Sequence, residues 1–503
     1  MTSKNKTRHA PPRAGAMIEA LRGLGYSPAT ALADIIDNSI AARAQHVDLW
    51  FSWGGDKSRI TVLDDGTGMN DAELERAMRL GDKSPLEARE SHDLGRFGLG
   101  LKTASFSQCR SLTVASKKDG KISCLRWDLD ALAASEDDGW HLLEGAAQES
   151  DNLLEPVNAL KAGTLVLLEK LDRIVTPGFK EQDFLDLVDD IERHLSMVFH
   201  RYLDGSNPRL VLTINGRAIA PWDPFLTNQP SKWASPILKL NAEGGAIEVQ
   251  CHVLPHKDKM EQREFEMAAG PDGWTAQQGF YVYRNERLLV AGSWLGLGQG
   301  RYWTKDEAHR LARIRLDIPN TADAHWKIDI RKSTARPPML IRSQLTRLAE
   351  DTRTRARRVF AHRGQSVRFG DSSPVMEAWR AERFNGGMRY QIDHEHPAVR
   401  AVLDEAGGLT SQIKAMLRVI EETIPVQRIW LDTTEARETP RTGFEGSASA
   451  EVKSVLEVMF RNMVTKKGLS AADARDRLLH TEPFHNYPDL VAALPDDPAT
   501  EGE

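Results

Sequence analysis

Asp34 and Asn38 stand four residues apart in the segment ALADIIDNSIAA. That spacing puts both side chains on one face of a helix. A carboxylate beside an amide oxygen suits Mg²⁺ coordination and the activation of a water molecule, although a helix with a polar outer face would carry the same residues. Asp65-Gly66-Thr67-Gly68-Met69 directly follows an apolar run. Glycines there let the chain turn sharply and let a ligand approach the backbone, and an acid at a strand end can accept from an exocyclic amine. A tight turn built on a structural aspartate is the other reading. The third group is Gly95-Arg96-Phe97-Gly98-Leu99-Gly100-Leu101-Lys102-Thr103. A glycine-rich loop that runs into a helix presents N–H groups to phosphate. It is not a P-loop, because Leu101 separates Gly100 from Lys102, and it is not a dinucleotide fingerprint, because Thr103 stands where a small residue is needed.

The surrounding sequence predicts the elements that hold these groups. Ser27-Pro28 starts a helix that runs through Ala44, with Leu32, Ile35, Ile36 and Ile40 on its apolar side. HVDLWFSW and SRITVLDDG read as two strands joined by a GGDK turn. NDAELERAMRLG reads as a short helix capped by Asn70. The stretch from Gly81 to Gly95 is polar and glycine-rich, which predicts partial mobility. SLTVAS, a KKDGK turn and ISCLRWDL form a hairpin, and GTLVLLEKL is a further strand. Between 176 and 340 the strands RLVLTING, AIEVQCHVL, GFYVYRNERLLV and RIRLDIP mix with a few helices. Beyond Pro338 the pattern is mainly helical, interrupted by a polar linker near 433–449.

With 503 residues the expectation is about three domains. Hydrophobic residues make up 41% and charged residues 27%, which excludes collagenous, low-complexity and disulfide-scaffold classes. Lys+Arg at 66 against Asp+Glu at 72 leaves a net charge of −6, so any nucleic-acid contact must be a local patch. Cys109, Cys124 and Cys251 are too few and scattered for a disulfide framework or zinc site, and fit a reducing cytoplasm. No apolar run has the ~20 residues of a membrane span. Residues 1–15 carry charge without an apolar stretch and read as a disordered basic tail.

An acid-xxx-Asn helix, a DxGxG box after a strand, GxFGxGxKT, and Gly163-Thr164 at a strand start, in that order, resemble the GHKL (Bergerat-fold) ATP-binding domain. That superfamily includes gyrase, the ninety-kilodalton heat-shock chaperones, histidine kinases, MutL and the Microrchidia (MORC) ATPases. ALADIIDNSIAA and GRFGLGLKTAS are most similar to the wording of MORC-like and MutL-like members. The resemblance implies an α+β protein: a Bergerat α/β sandwich over 16–175, a transducer-like α/β domain over 176–340, and a mainly helical region over 341–503.

It also implies roles for residues. Asn38 would hold Mg²⁺ on the triphosphate. Asp65 would accept from the adenine amine, with Gly66, Gly68 and Met69 around the base. Gly95, Phe97, Gly98, Leu99, Gly100, Lys102 and Thr103 would form the lid and phosphate-binding helix start. Thr164 would support the adenine end through water. Asp34 takes the general-base position, where the family usually has glutamate, and its shorter side chain implies slow hydrolysis. Ala41 departs from the aspartate common there. GFYVYRNERLLVAGSW resembles the transducer, whose lysine reaches the γ-phosphate; WKIDIRKS offers Lys332 first and Lys327 second. Arg284, Asn285 and Arg287 read as strand-end or subunit-contact residues.

From Arg342 to Arg389 there are eleven arginines, no lysines and five acids. An arginine-rich helix could follow a phosphate backbone, and a solvated helix face is the other explanation. The resemblance therefore implies a cytoplasmic Mg²⁺-dependent ATPase. It would act as an ATP-gated homodimerising clamp in DNA transactions or genome defence, alone or with other proteins. The alternatives are an ATP-binding signalling or scaffold protein with little hydrolysis, and a chaperone-like ATPase.

Overall fold

The computed structural model describes residues 12–23, 25–81, 100–135, 139–242, 244–329, 332, 334–361, 376–384, 387–426, 428–429, 450–465, 468–482, 484 and 487–496. The chain divides into two compact units, Met1–Gly364 and Gln365–Glu503.

The first unit opens with helices α1 (Ala14–Arg22) and α2 (Pro28–Ala41), strands β1 (His46–Ser52) and β2 (Arg59–Asp64), and helices α3 (Asp71–Met78) and α4 (Gly100–Phe106). Then come β3 (Ser111–Lys118), β4 (Lys121–Asp128), α5 (Leu129–Ala133), β5 (Leu143–Glu144), α6 (Pro156–Ala159), β6 (Gly163–Glu169), α7 (Glu181–Val198), α8 (His200–Leu203), β7 (Val211–Ile214) and β8 (Arg217–Ala218). These strands form an eight-stranded sheet in the order β5-β4-β3-β6-β2-β1-β7-β8. Its pairs are antiparallel except β1 with β7. The strand RLVLTING therefore extends the first sheet past residue 175.

Local chemistry sets the helices that matter. The Ser27 side chain accepts from the Thr30 amide and Pro28 fills the first helical position of α2. Asn70 and Glu73 close a reciprocal capping box on α3. Leu32, Ile35 and Ile36 of α2, Ile18 of α1, and Phe184, Ile191 and Leu195 of α7 bury one face of the sheet with Ile60, Val62, Val166 and Leu168. Ala115, Val157, Leu165 and Leu167 form a smaller core on the other face. Helix α1 begins at the buried Ala14, inside the stretch expected as a tail.

The rest of this unit contains β9 (Trp233–Ala234), β10 (Leu238–Ala242), β11 (Gly245–Val253), α9 (Gln262–Ala268), α10 (Gly273–Ala276), β12 (Gly279–Arg284), β13 (Arg287–Ser293), β14 (Ala312–Ile318), α11 (Asp323–Trp326) and α12 (Met339–Ala361). A second sheet runs β10-β11-β14-β12-β13, with β9 beside β11. Ile341, Leu345, Ala349 and Ala356 of α12 belong to the core of this sheet. Met197 at the end of α7 packs with Tyr281, Tyr283 and Leu288 of the β12–β13 hairpin. That contact brings the hairpin up to α2.

In the second unit, β15 (Trp379–Phe384) and β16 (Gly387–Ile392) pair as a hairpin, followed by α13 (Pro397–Glu405) and α14 (Thr410–Glu422). Helices Ala450–Thr465, Ala471–Leu479 and Pro488–Ala492 pack with α13 around Leu456, Phe460, Leu478 and Phe484. The arginine-rich stretch is thus a helix to Ala361 and a strand pair from Trp379, not one helix. Its GMRYQI segment has the polarity alternation of a strand. The expected linker at 433–449 lies outside the described residues.

Candidate active site

Asp34 and Asp37 both point from α2 toward the second sheet and are almost completely buried. Lys332 donates from Nζ to Asp34 Oδ1 at 2.9 Å and also to Asp37 Oδ2. Arg287, the first residue of β13, donates from Nε to both Asp37 oxygens at 3.2 Å, and its Nη2 lies 3.6 Å from Asp34 Oδ1. Two carboxylates and two cations thus neutralise one another in a closed space. Burial pushes the Asp37 carboxyl up, but the charges and hydrogen bonds of Arg287 and Lys332 outweigh it, so the net shift is downward. Tyr26 donates to the other Asp34 oxygen, Oδ2, at 3.0 Å. Asn38 is exposed on the same helix, and its Nδ2 donates to the Asp34 carbonyl at 3.0 Å. Lys327 is exposed on the turn after α11.

The two neighbouring aspartates at the end of β2 divide their work. Burial alternates along Arg59–Asp64, so Asp64 shares the inner face with Ile60 and Val62. Ser39 of α2 donates to Asp64 Oδ2 at 2.9 Å and the Gly66 amide to Oδ1 at 2.9 Å. Burial raises the pKa of Asp64, and the Gly66 amide and Ser39 hydroxyl only partly oppose it. Asp65 faces the other way. Its Oδ1 accepts from the Gln45 and His46 amides at 2.7 and 2.8 Å, and its Oδ2 meets His46 Nδ1 at 2.9 Å. Burial would raise Asp65, yet the His46 and Gln45 hydrogen bonds lower it on balance. The residue expected to face a base is therefore spent on fixing a turn, and Asp64 is the carboxylate on the α2 side. The DxGxG spacing, counted back from Gly68 and Gly66, begins at Asp64 and carries that signal.

Around Asp64 the turn is tightly constrained. Gly68 has φ +64, and a Cβ there would lie 1.9 Å from the Lys117 carbonyl oxygen. Gly163 has φ +153, and its Cβ would lie 2.1 Å from the Asp64 carbonyl oxygen. The Met69 amide donates to Ser116 Oγ at 2.8 Å, and that hydroxyl pairs with Thr164 Oγ1 at 2.9 Å. Thr164 sits opposite Asp64 in the β2–β6 register. Gly66, Gly68, Met69 and Thr164 are therefore gathered at one end of α2.

Gly100 begins α4, and Thr103 lies one turn further along it, with its hydroxyl 3.4 Å from the Gly100 carbonyl oxygen. Lys102 is buried and donates to the Ala77 carbonyl of α3 at 2.8 Å. Gly95, Phe97, Gly98 and Leu99 lie outside the described residues, as does most of the stretch expected to be mobile. Of the arginines in α12, Arg353 is buried against the Trp294 and Trp303 rings and Arg355 lies over Trp233, whereas Arg347, Arg357 and Arg358 are exposed. Sequence reasoning placed Arg287 at a strand end. It is at a strand end, but that end is driven into α2. Asp37, Arg287, Tyr26 and Ser39 were not picked out as site residues.

Comparison with known proteins agrees with this geometry. Residues 26–164 match the family described as "Histidine kinase-, DNA gyrase B-, and HSP90-like ATPase". The chain is 34% identical over 98 residues to the ATPase morc-1 of Caenorhabditis elegans, covering 20% of this chain and 11% of that protein. It is 31% identical over 98 residues to human ATPase MORC2, covering 19% of this chain and 9% of that protein. It is 27% identical over 231 residues to the DNA mismatch repair protein MutL of Rhodopseudomonas palustris, covering 44% of this chain and 34% of that protein. The chain thus spans about a tenth of the worm and human relatives and about a third of this bacterial one. The matched family segment runs from Tyr26 to Thr164 and encloses α2, the Asp64 turn and α4, so the N-terminal part of this chain is a GHKL ATPase domain with MORC and MutL relatives.

Proposed function

We propose that the chain is a Mg²⁺-dependent ATPase that works as an ATP-gated dimerising switch. The observation that carries this reading is the meeting of Lys332, from beyond the second sheet, with Asp34 on α2. In this reading the adenine amine donates to Asp64, with Gly66, Gly68, Met69 and Thr164 around the base. Gly100 and Thr103 start the phosphate-binding helix, to which Gly95, Phe97, Gly98 and Leu99 lead. Asn38 fits a magnesium ion: it is exposed, and its amide nitrogen is already committed to a carbonyl, which leaves its oxygen as the ligand atom. The ion would neutralise triphosphate charge.

Asp34 then accepts a proton from the attacking water. The water oxygen bonds to the γ-phosphorus, and the bond to the bridging oxygen breaks with its electron pair leaving on ADP. Lys332 exchanges its carboxylate partners for the γ-phosphate and stabilises the charge that develops there. Its present partner is the base itself, which favours slow turnover in the resting chain. Movement of Lys332 with the β12–β13 hairpin would couple nucleotide to the association of two N-terminal domains. The relative named as a DNA mismatch repair protein supports work on DNA, for which Arg347, Arg357 and Arg358 offer exposed positive charge.

Asp34→Ala should abolish turnover while ATP binding by calorimetry persists, because a base acts chiefly in the transition state. Asn38→Ala should impair both when Mg²⁺ is present. An Asp34→Ala chain that hydrolyses ATP at the wild-type rate would sink the assignment. Light scattering of the full chain with ADP and with adenylyl imidodiphosphate tests the switch; equal mass with both nucleotides counts against it.

A further inference from the structure

Tyr26 precedes α2 and lies outside the motifs described above. Its ring packs with Ala31 of α2 and Ala104 of α4, two residues small enough to let it pass between the helices. Its carbonyl accepts from Gln108 Nε2 at 3.2 Å, which fixes the backbone that carries the ring. At the far end the hydroxyl donates to Asp34 Oδ2 at 3.0 Å, and the Thr103 side chain hydrogen-bonds the same phenol oxygen. Lys332 holds the other carboxylate oxygen, Oδ1. Burial and the Asp34 charge raise the phenol pKa far above its ordinary value, so the group stays a donor at every working pH.

We propose that Tyr26 is a positioning residue for Asp34: its hydroxyl fixes Oδ2 and thereby assigns the proton transfer to Oδ1. This rests on the ATPase reading given above. An aspartate reaches one methylene less far than the glutamate usual in this family, so its carboxylate must be held in one rotation to meet a water molecule. Two fixed partners do this in the resting chain. When Lys332 leaves for the γ-phosphate, Oδ1 loses its hydrogen-bond donor and keeps only the Arg287 guanidinium at 3.6 Å, while Oδ2 stays held. Oδ1 is then the oxygen left without a hydrogen bond and takes the proton. The Thr103 hydroxyl ties the same phenol to α4, so a shift of that helix toward the phosphates is felt at the carboxylate.

The test measures steady-state hydrolysis by the full chain and, separately, affinity for adenylyl imidodiphosphate by calorimetry. Tyr26→Phe deletes one oxygen and should lower kcat by about tenfold to a hundredfold, the scale of a small misplacement of a reacting group, with KM and analogue affinity unchanged. A Tyr26→Phe chain with wild-type kcat overturns the inference while leaving the ATPase reading intact. A Tyr26→Phe chain that does not fold by circular dichroism also overturns it, because the hydroxyl then serves stability. A wild-type chain that binds no ATP overturns the ATPase reading first, and this inference with it.

Discussion

Asp64 and Asp65 are adjacent, yet their surroundings predict opposite responses to the same substitution. Asp64→Asn turns an acceptor that faces α2 partly into a donor. Loss of a charged hydrogen bond costs about 1.5–3 kcal/mol, so ATP affinity should fall roughly tenfold to more than a hundredfold. Asp65→Asn should leave affinity nearly unchanged and lower stability instead, because its oxygens serve the Gln45 and His46 amides. Calorimetry and thermal melts of both variants separate the two outcomes. Arg287 is the other decisive residue. Removing it leaves Asp37 buried with Lys332 alone, and breaking such a pair costs about 3–5 kcal/mol; urea denaturation of Arg287→Ala measures this. The pH dependence follows from Asp37, whose carboxyl is shifted down on folding. Such a group contributes stability above its unfolded pKa and loses it as the pH falls through the folded value. Lys332→Ala removes one of the two cations, so the folded value rises and less stability is gained. Urea melts over about pH 3–7 should show the gap between wild type and Lys332→Ala widest near neutrality and narrowing with acid. A gap independent of pH would mean that Lys332 acts by packing alone.

At the scale of elements, the turn between β2 and α3 is the most constrained part of the site. Gly68→Ala places a methyl against the Lys117 carbonyl oxygen and needs a positive φ. Backbone on both sides leaves nothing flexible to yield, so the variant should lose both nucleotide binding and several degrees of Tm. Ser27→Ala removes the cap of α2 and should cost about 0.5–2 kcal/mol, a milder loss that leaves the Asp34 face intact. Much of this architecture was legible. The period of HVDLWFSW and SRITVLDDG, the Ser-Pro start of α2 and the KKDGK hairpin all emerged as strands, helix and turn. The same period-two rule, carried one residue further, would have put Asp64 on the face of Ile60 and Val62. The pairing of Asp34 with Lys332 was not legible as a contact, because 298 residues separate them and only tertiary packing closes that distance. Nor was the inward aim of Arg287, since the RNER turn reads as exposed until α7 is seen to carry the hairpin onto α2. The β15–β16 hairpin was hidden by its arginines, whose charge reads as helix surface.

For the molecule as a whole, the place where the chain may be cut follows from α12. A fragment ending at residue 340 would remove Ile341, Leu345, Ala349 and Ala356 from the core of the second sheet. Ile341 and Leu345 each contribute about 1.5–3 kcal/mol and the two alanines less, so that fragment should bind a hydrophobic dye and melt broadly. A fragment ending at Gly364 keeps the helix and should melt cooperatively. Association assays on the N-terminal part therefore need the longer piece. Lys332 has one more consequence. Its backbone lies at φ +54, a left-handed conformation that costs a lysine roughly 1–2 kcal/mol. The two ion pairs to α2 offset that cost, and its amide stays bonded to the Asp329 carbonyl at 3.0 Å. If a phosphate draws the ammonium away as proposed, the turn would keep its strain but lose its anchors. Deuterium uptake at this one amide would then rise while the rest of the nucleotide site grows more protected, so a clock for lysine release is built into the backbone itself.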